Sequence, residues 1–184
     1  MMRQAIILSG AGGQGLILAG AILAEAAGVF EGKEVVQTQS YGIQARGGAS
    51  QSSVIISDGR IKFPEVLVPD ILLCLSQEAY QRYAPSLREG GILIIDQDLV
   101  TSNLDRQDIQ VIGLPFTAQA EKMERRILAN VIALGALATA TGAVSVESLA
   151  QALHSRLPER NVPQAVEALQ LGKQLAEEQG LVQV

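Results

Sequence analysis

Two short stretches carry residue types whose spacing could do chemistry. The first is Gly10-Ala11-Gly12-Gly13-Gln14-Gly15, which follows the apolar run Ile6-Ile7-Leu8 and precedes Leu16-Ile17-Leu18. Gly10, Gly12 and Gly15 fit the pattern G-x-G-x-x-G, in which missing side chains let the backbone turn tightly and a ligand approach closely. A strand opening through such a turn into a helix would aim the helix's first N–H groups, and the positive end of its dipole, at an anion, usually a phosphate. Alone, the loop is compatible with a dinucleotide, with another phosphate, or with a turn that only packs a strand against a helix. The second stretch is Ser40-Tyr41-Gly42-Ile43-Gln44-Ala45-Arg46-Gly47-Gly48. Arg46 beside two glycines has little steric cover. It can offer its planar fork to a phosphate or carboxylate, or pin its own loop through backbone carbonyls or an Asp. Tyr41 reads as a partly buried loop anchor, with ligand contact as the alternative.

The other reactive side chains read as structural. Cys74 lies in the continuous apolar run Ile71-Leu72-Leu73-Cys74-Leu75 and reads as packing. As the only cysteine it excludes an internal disulfide, a Cys-rich zinc site and an iron–sulfur cluster held by this chain alone. His154 lies on a polar helix face with no Ser or Cys partner and reads as solvated. Asp96 and Asp98, at the end of another apolar run, read as caps for the following segment. No nucleophile, triad or metal constellation emerges, so no catalytic residue and no metal ligand is assigned. From its residues the chain is a binding or structural domain.

Composition narrows the partners. A net charge of −5, with 3% aromatic residues and no Trp, excludes the basic grooves and stacking platforms of nucleic-acid binders. The uncharged stretch from Ile127 to Val146 is long enough to raise a membrane span. Asn130, Thr139, Thr141, Gly142 and Ser145 interrupt it, and it reads instead as a helix buried in the core or at a subunit contact. Arg3 and Gln4 lead directly into a strand pattern rather than a signal peptide, which makes the cytoplasm the expected compartment.

The elements that must position the two loops follow from apolar periodicity and turn residues. Strands are expected over 4–9, 33–39, 53–57, 70–75, 92–96 and 111–114. Asp58-Gly59 is a hairpin signal pairing 53–57 with 60–63. Helices are expected over 14–27, stopped by Gly28; over 77–87; over 118–141 without interruption; over 146–157; and from Asn161, as cap, toward Gly180, with Pro163 in the first turn. Alternating strands and helices predict a single α/β domain, residues 1–184. Residues 1–117 are expected to form a mostly parallel, Rossmann-like sheet with helices on both faces and one antiparallel hairpin, and residues 118–184 to be helical. In such sheets ligands collect at the carboxyl ends of the strands. A dinucleotide site would also need an Asp or Glu after the second strand, where this chain has Gln37, Gln39 and Ser40.

Taken together, Gly10-x-Gly12-Gly13-Gln14-Gly15, then Ser40-Tyr41-Gly42-x-x-x-Arg46-Gly47-Gly48, then Val54-x-Ile56-Ser57 and Pro69-Asp70, resemble the gamma subunit of 2-oxoacid:ferredoxin oxidoreductases. The resemblance covers residues 4–180 and is greatest to the 2-oxoglutarate type, with pyruvate, branched-chain and indolepyruvate versions sharing the loops. It implies a subunit of a complex that converts a 2-oxoacid and coenzyme A to acyl-CoA, carbon dioxide and reduced ferredoxin. Thiamine diphosphate, Mg2+ and iron–sulfur clusters would then sit on alpha, beta and, where present, delta partner chains, with ferredoxin served through the complex. The gamma chain would contribute subunit contacts and coenzyme A binding, through Gly10, Gly12, Gly13, Gln14, Gly15, Ser40, Tyr41, Gly42, Arg46, Gly47 and Gly48. Its Ala-rich surfaces could pair with a second copy when the chain is isolated. The rival expectations are a stand-alone nucleotide-binding oxidoreductase and a purely architectural subunit.

Overall fold

Runs of Ile, Leu and Val too apolar to leave either face in water form the centre of a six-stranded sheet in the computed structural model, which describes residues 2–40, 49–103 and 105–181. The strands are β1 (Arg3–Gly10), β2 (Glu34–Ser40), β3 (Ser50–Ser57), β4 (Ile71–Cys74), β5 (Ile92–Asp96) and β6 (Gln110–Leu114). They lie in the order β2-β3-β1-β4-β5-β6. β1, β4, β5 and β6 are parallel, while β3 runs antiparallel to both β1 and β2. Five carboxyl ends therefore share one edge, and β3 starts from that edge, with Ser50 opposite Gly10 and Gln51 opposite Ser40.

Alternation along the strands divides the core. Ile6, Leu8, Leu73, Ile94 and Ile112 face a layer containing α1 (Leu16–Glu25), α3 (Phe116–Lys122), α4 (Ala129–Thr141), α5 (Val146–Arg156) and α6 (Val162–Glu178). Ile7, Leu72, Cys74, Leu93 and Ile95 face the other side, where Ala79 and Tyr80 of α2 (Gln77–Tyr83) cover them. The uncharged stretch becomes α4, a helix buried along almost its whole length. Among the described residues no helix is long and apolar enough to cross a membrane. Gly135 of α4 and Gly172 of α6 bring the two helices into backbone contact: a Cβ on Gly135 would lie 2.1 Å from the Leu169 carbonyl oxygen, and one on Gly172 would lie 1.9 Å from that of Ile132.

Four expectations need correction. Asp58-Gly59 does not make a hairpin, since residues 60–63 form no strand. Asp58 instead ties the start of β1 to β2, accepting from the Met2 N–H at 2.8 Å and pairing with Lys33 at 3.5 Å. The antiparallel element is β3 between β1 and β2. The 118–141 helix is two helices. After Lys122 the chain takes a left-handed turn at Glu124 (φ +56), with Glu124 N–H donating to Glu121 O and Arg125 N–H to Ala120 O, the bonds of a Schellman stop. The first helix runs past Gly28 as a π-turn, Ala26–Phe30, and the glycine in the left-handed region is Gly32 (φ +66). Asn161 makes no side-chain cap; the single helical turn Glu159–Asn161 leads into α6, which does carry Pro163 in its first turn.

Candidate functional site

β1 delivers Gly10 to the carboxyl edge, and α1 begins six residues later. Gly15 is the N-cap residue (φ +74) and Gly13 is also left-handed (φ +87), conformations that a side chain would strain. Gly10 lacks a side chain for another reason: its Cβ would fall 2.3 Å from Gln14 Oε1. Gln14 staples the loop, its Oε1 accepting from the Ala11 N–H at 2.7 Å and its Nε2 donating to the Leu75 carbonyl at 2.8 Å. Asn130 of α4 fastens the other end, its Nδ2 donating to the Gly15 carbonyl at 3.1 Å. Gly12 has neither constraint, with no left-handed φ and no atom of the described residues within 4 Å of a Cβ. Among the described residues α1 has no side-chain cap, and it has no acidic residue in its first turn, so its own first turn does not compensate the positive end of its dipole.

The loop forms one wall of a cleft of about 380 Å³, with Thr117, Arg126, Ile127 and Ala129 among the residues opposite Ala11, Gly12, Gly13 and Gln14. Arg126 is exposed and held only loosely by Glu121, at 3.8 Å. Its fork is thus at hand in the same cleft as the glycine loop. Thr117 is fixed from below by Asp96, whose Oδ2 accepts from its N–H at 3.0 Å and from its hydroxyl at 2.5 Å. Asp98 accepts from the Ala118 N–H at 2.8 Å, so the two carboxylates cap the start of α3 as the sequence suggests.

Burial pushes the Asp96 carboxyl above its ordinary range, against the opposing hydrogen bond from Thr117. The folded chain therefore holds this proton to higher pH than the unfolded chain does. Stability tied to that proton is complete below 3.8 and is lost as pH rises through the folded value. Asp96→Asn should accordingly compare better with the parent at pH 7 than at pH 4 in chemical denaturation. A pH-independent difference between the two proteins would refute this.

The family described as pyruvate ferredoxin/flavodoxin oxidoreductase matches residues 5–175. The chain belongs to that family. Within it, the chain is a gamma-type subunit of a 2-oxoacid:ferredoxin oxidoreductase. The 2-oxoglutarate synthase subunit KorC of Methanocaldococcus jannaschii is 48% identical over 179 residues, 96% of each chain. The crystal structure of the keto/oxoacid ferredoxin oxidoreductase gamma subunit from Geobacter sulfurreducens superposes with a TM-score of 0.87 at 45% identity, covering 100% of both chains. The pyruvate/ketoisovalerate oxidoreductases common subunit gamma of Thermococcus litoralis is 30% identical, covering 88% of this chain and 92% of its own.

In this oxidoreductase subunit Gly10, Gly12, Gly13, Gln14 and Gly15 form one loop at the carboxyl edge, and Ser40 ends β2 at the same edge. Tyr41, Gly42, Arg46, Gly47 and Gly48 lie outside the described residues. The flanks of their segment, Ser40 and Ser50, are placed, and Ser50 pairs with Gly10 and receives a hydrogen bond on its carbonyl from Ser9 Oγ at 3.0 Å. The dinucleotide alternative meets a second obstacle here. Antiparallel β3 stands between β1 and β2, setting the end of β2 two strand spacings, roughly 10 Å, from the glycine loop. Gln37 is also turned inward, donating to the Ile17 carbonyl at 3.2 Å and Ser52 Oγ at 3.1 Å. Sequence reasoning missed Thr117, Arg126 and Ile127. The pair Arg125-Arg126 at the mouth of the uncharged run was a visible signal, but its place across from the loop depends on the break at Glu124.

Proposed function

We propose that the glycine-loop cleft is where this subunit holds coenzyme A phosphates during the oxidative decarboxylation of a 2-oxoacid, 2-oxoglutarate being the substrate of the assembled enzyme. The observation that carries this reading is the glycine loop Ala11–Gln14, which leads into the start of α1 and shares a cleft with the loosely paired Arg126. Oriented N–H groups plus a guanidinium suit a phosphate better than any neutral ligand. Arg46, which lies between β2 and β3 in the sequence, would add a second guanidinium in this reading.

Thiamine diphosphate, Mg2+ and the iron–sulfur clusters belong to alpha, beta and delta partner chains in this reading, and electrons leave the complex to ferredoxin. Cys74, the only cysteine, is enclosed in β4, and burial pushes its thiol up, away from the thiolate that ligation requires. Oxoacid choice rests with the thiamine-bearing chains; the Thermococcus relative, whose name makes it common to pyruvate and ketoisovalerate enzymes, supports this division. Phe63, Leu67 and Val68, apolar and exposed on the connector before β4, support a contact role alongside ligand binding.

Coenzyme A titration of the chain tests the reading, with Arg46→Ala as control. Loss of a charge-assisted hydrogen bond should weaken binding roughly 10–100-fold. In the assembled complex the same change should slow acyl-CoA formation at limiting coenzyme A. Tight NAD(P) binding would favour the stand-alone oxidoreductase instead, and a complex indifferent to Arg46→Ala would remove the residue from the site.

A further inference from the structure

Asn130 is the one polar residue in the first two turns of α4, and it is only 4% exposed. The other polar residues of that helix use their hydroxyls locally: Thr139 Oγ1 donates to the Gly135 carbonyl at 2.9 Å and Thr141 Oγ1 to that of Leu137 at 2.7 Å. Asn130 instead reaches the Gly15 carbonyl, 115 residues away in the chain. The fold does not need this bond. The same carbonyl already accepts the first bond of α1, from the Ala19 N–H at 3.0 Å, so the amide is a second donor on a satisfied acceptor. Meanwhile Asn130 Oδ1 is shut away from solvent with no donor among the described residues. Reversing the amide gives no relief, since its oxygen would then face the Gly15 oxygen. Buried acceptors without donors are rare and destabilising, and asparagine is a poorer helix former than alanine or leucine. Stability alone therefore favours an apolar residue at this position.

What the bond joins accounts for it. The glycine-loop cleft has two walls, Ala11–Gln14 on one side and Arg126, Ile127 and Ala129 on the other. Gly15 follows directly on the first wall, and Asn130 directly on the second. The two walls meet at a tight seam: a Cβ on Gly15 would lie 2.4 Å from Asn130 Nδ2 and 3.5 Å from Ile127 Cδ1. Behind the seam a further cleft of about 190 Å³ opens between α1, α4 and α6, so apolar packing alone does not hold the walls together there. Among the described residues, the Asn130 amide makes the only hydrogen bond between residues 10–16 and residues 126–130.

We propose that Asn130 is a positioning residue for phosphate binding at the glycine loop, its amide pinning the two walls at their seam and so fixing the span between the loop N–H groups and the Arg126 guanidinium. Asn130 does not touch the ligand, because its free oxygen is enclosed. It acts through Gly15 on one wall and through the helical turn that carries Arg126 on the other. Two groups that must grip one phosphate together gain affinity when their separation is set before the ligand arrives. The orphaned acceptor is the stability given up for that preorganisation. This rests on coenzyme A as the ligand of the cleft, and adds the residue that holds the cleft in its binding shape.

Asn130→Ala separates the two roles. It leaves the Gly15 carbonyl bonded to Ala19 and opens onto an existing cleft rather than a sealed cavity, so it should melt within about 2 °C of the parent or above it. Calorimetry on the full chain should nevertheless find coenzyme A bound at least about fivefold more weakly. In the assembled complex the KM for coenzyme A should rise by a similar factor with kcat at saturation unchanged, whereas a merely structural defect would lower the active fraction and leave KM in place. Arg126→Ala should weaken binding at least about threefold less in the Asn130→Ala background than in the parent, because the span it depends on is already lost. Asn130→Leu, which keeps the branched shape of the side chain, should give the same binding result and decides the matter if alanine unfolds the chain. Parental affinity for coenzyme A in the folded variant, or full additivity with Arg126→Ala, would overturn the positioning role and leave the coenzyme A reading standing. Failure of coenzyme A to bind either the parent chain or the assembled complex would overturn both.

Discussion

Replacing Gly172 with alanine is expected to lower the melting temperature by roughly 4–8 °C. The added Cβ would sit 1.9 Å from the Ile132 carbonyl oxygen and 3.0 Å from the Ala136 nitrogen, both backbone atoms of a helix that is itself enclosed. No rotamer change relieves such a contact, so α4 and α6 must separate. Overpacking of a filled core costs about 3 kcal/mol at the upper end of its usual range, and the better helix propensity of alanine offsets about 1. The remaining ~2 kcal/mol corresponds to the stated shift for a chain of this size. Gly135→Ala, whose Cβ would meet the Leu169 carbonyl oxygen at 2.1 Å, strains the same crossing from the other side. The double variant should therefore fall short of the sum of the single effects. Leucine at 172 should leave no folded protein. A shift below about 2 °C for Gly172→Ala would mean that the crossing has slack and that the two glycines are not what sets its distance.

How much of this was legible in the sequence depends on which physical signal each element carries. β4 and β5 were plain because strands covered on both faces need unbroken apolar runs, and Ile71–Leu75 and Ile92–Ile95 are such runs. The strand–turn–helix order around Gly10–Gly15 was equally plain. What could not be read is where local rules yield to tertiary demand. The stop at Glu124 uses a non-glycine residue in the left-handed region, so the sequence from Ala118 to Thr141 contains no punctuation at the break. The break matters for the proposed site, because it carries Arg126 to the cleft beside the glycine loop. Asp58-Gly59 misled in the opposite sense. Its turn chemistry is genuine, but the Asp58 carboxylate is engaged by the Met2 N–H and Lys33, and the chain leaves the sheet instead of returning. Gln14 was named among the coenzyme A-binding residues, whereas its role as a staple to the Leu75 carbonyl needed the β1–β4 pairing to become visible.

The glycine loop itself yields the second large effect, and it separates ligand binding from turn geometry. Gly15→Ala should destabilise the fold by roughly 2–3 kcal/mol, since alanine is strained at φ +74 and its Cβ would lie 2.4 Å from Asn130 Nδ2, the donor that holds the loop. Loss of coenzyme A binding in that variant would say little, because the loop would be lost with it. Gly12 is the informative position. Its φ is not left-handed and none of the described residues lies within 4 Å of a Cβ there, so the described fold gives no reason for glycine at this position. Gly12→Val should melt within about 1 °C of the parent, as surface changes away from special geometry do. A phosphate resting on the N–H groups of residues 12 and 13 would meet the new methyl groups directly, and the coenzyme A dissociation constant should rise at least about tenfold, the worth of one displaced charge-assisted hydrogen bond. Arg126→Ala in the same assay should weaken binding without altering the melting temperature, because its ion pair with Glu121, the one it makes among the described residues, is long and exposed. If Gly12→Val binds coenzyme A like the parent while Gly15→Ala unfolds early, the loop is a packing turn and the phosphates lie elsewhere in the complex.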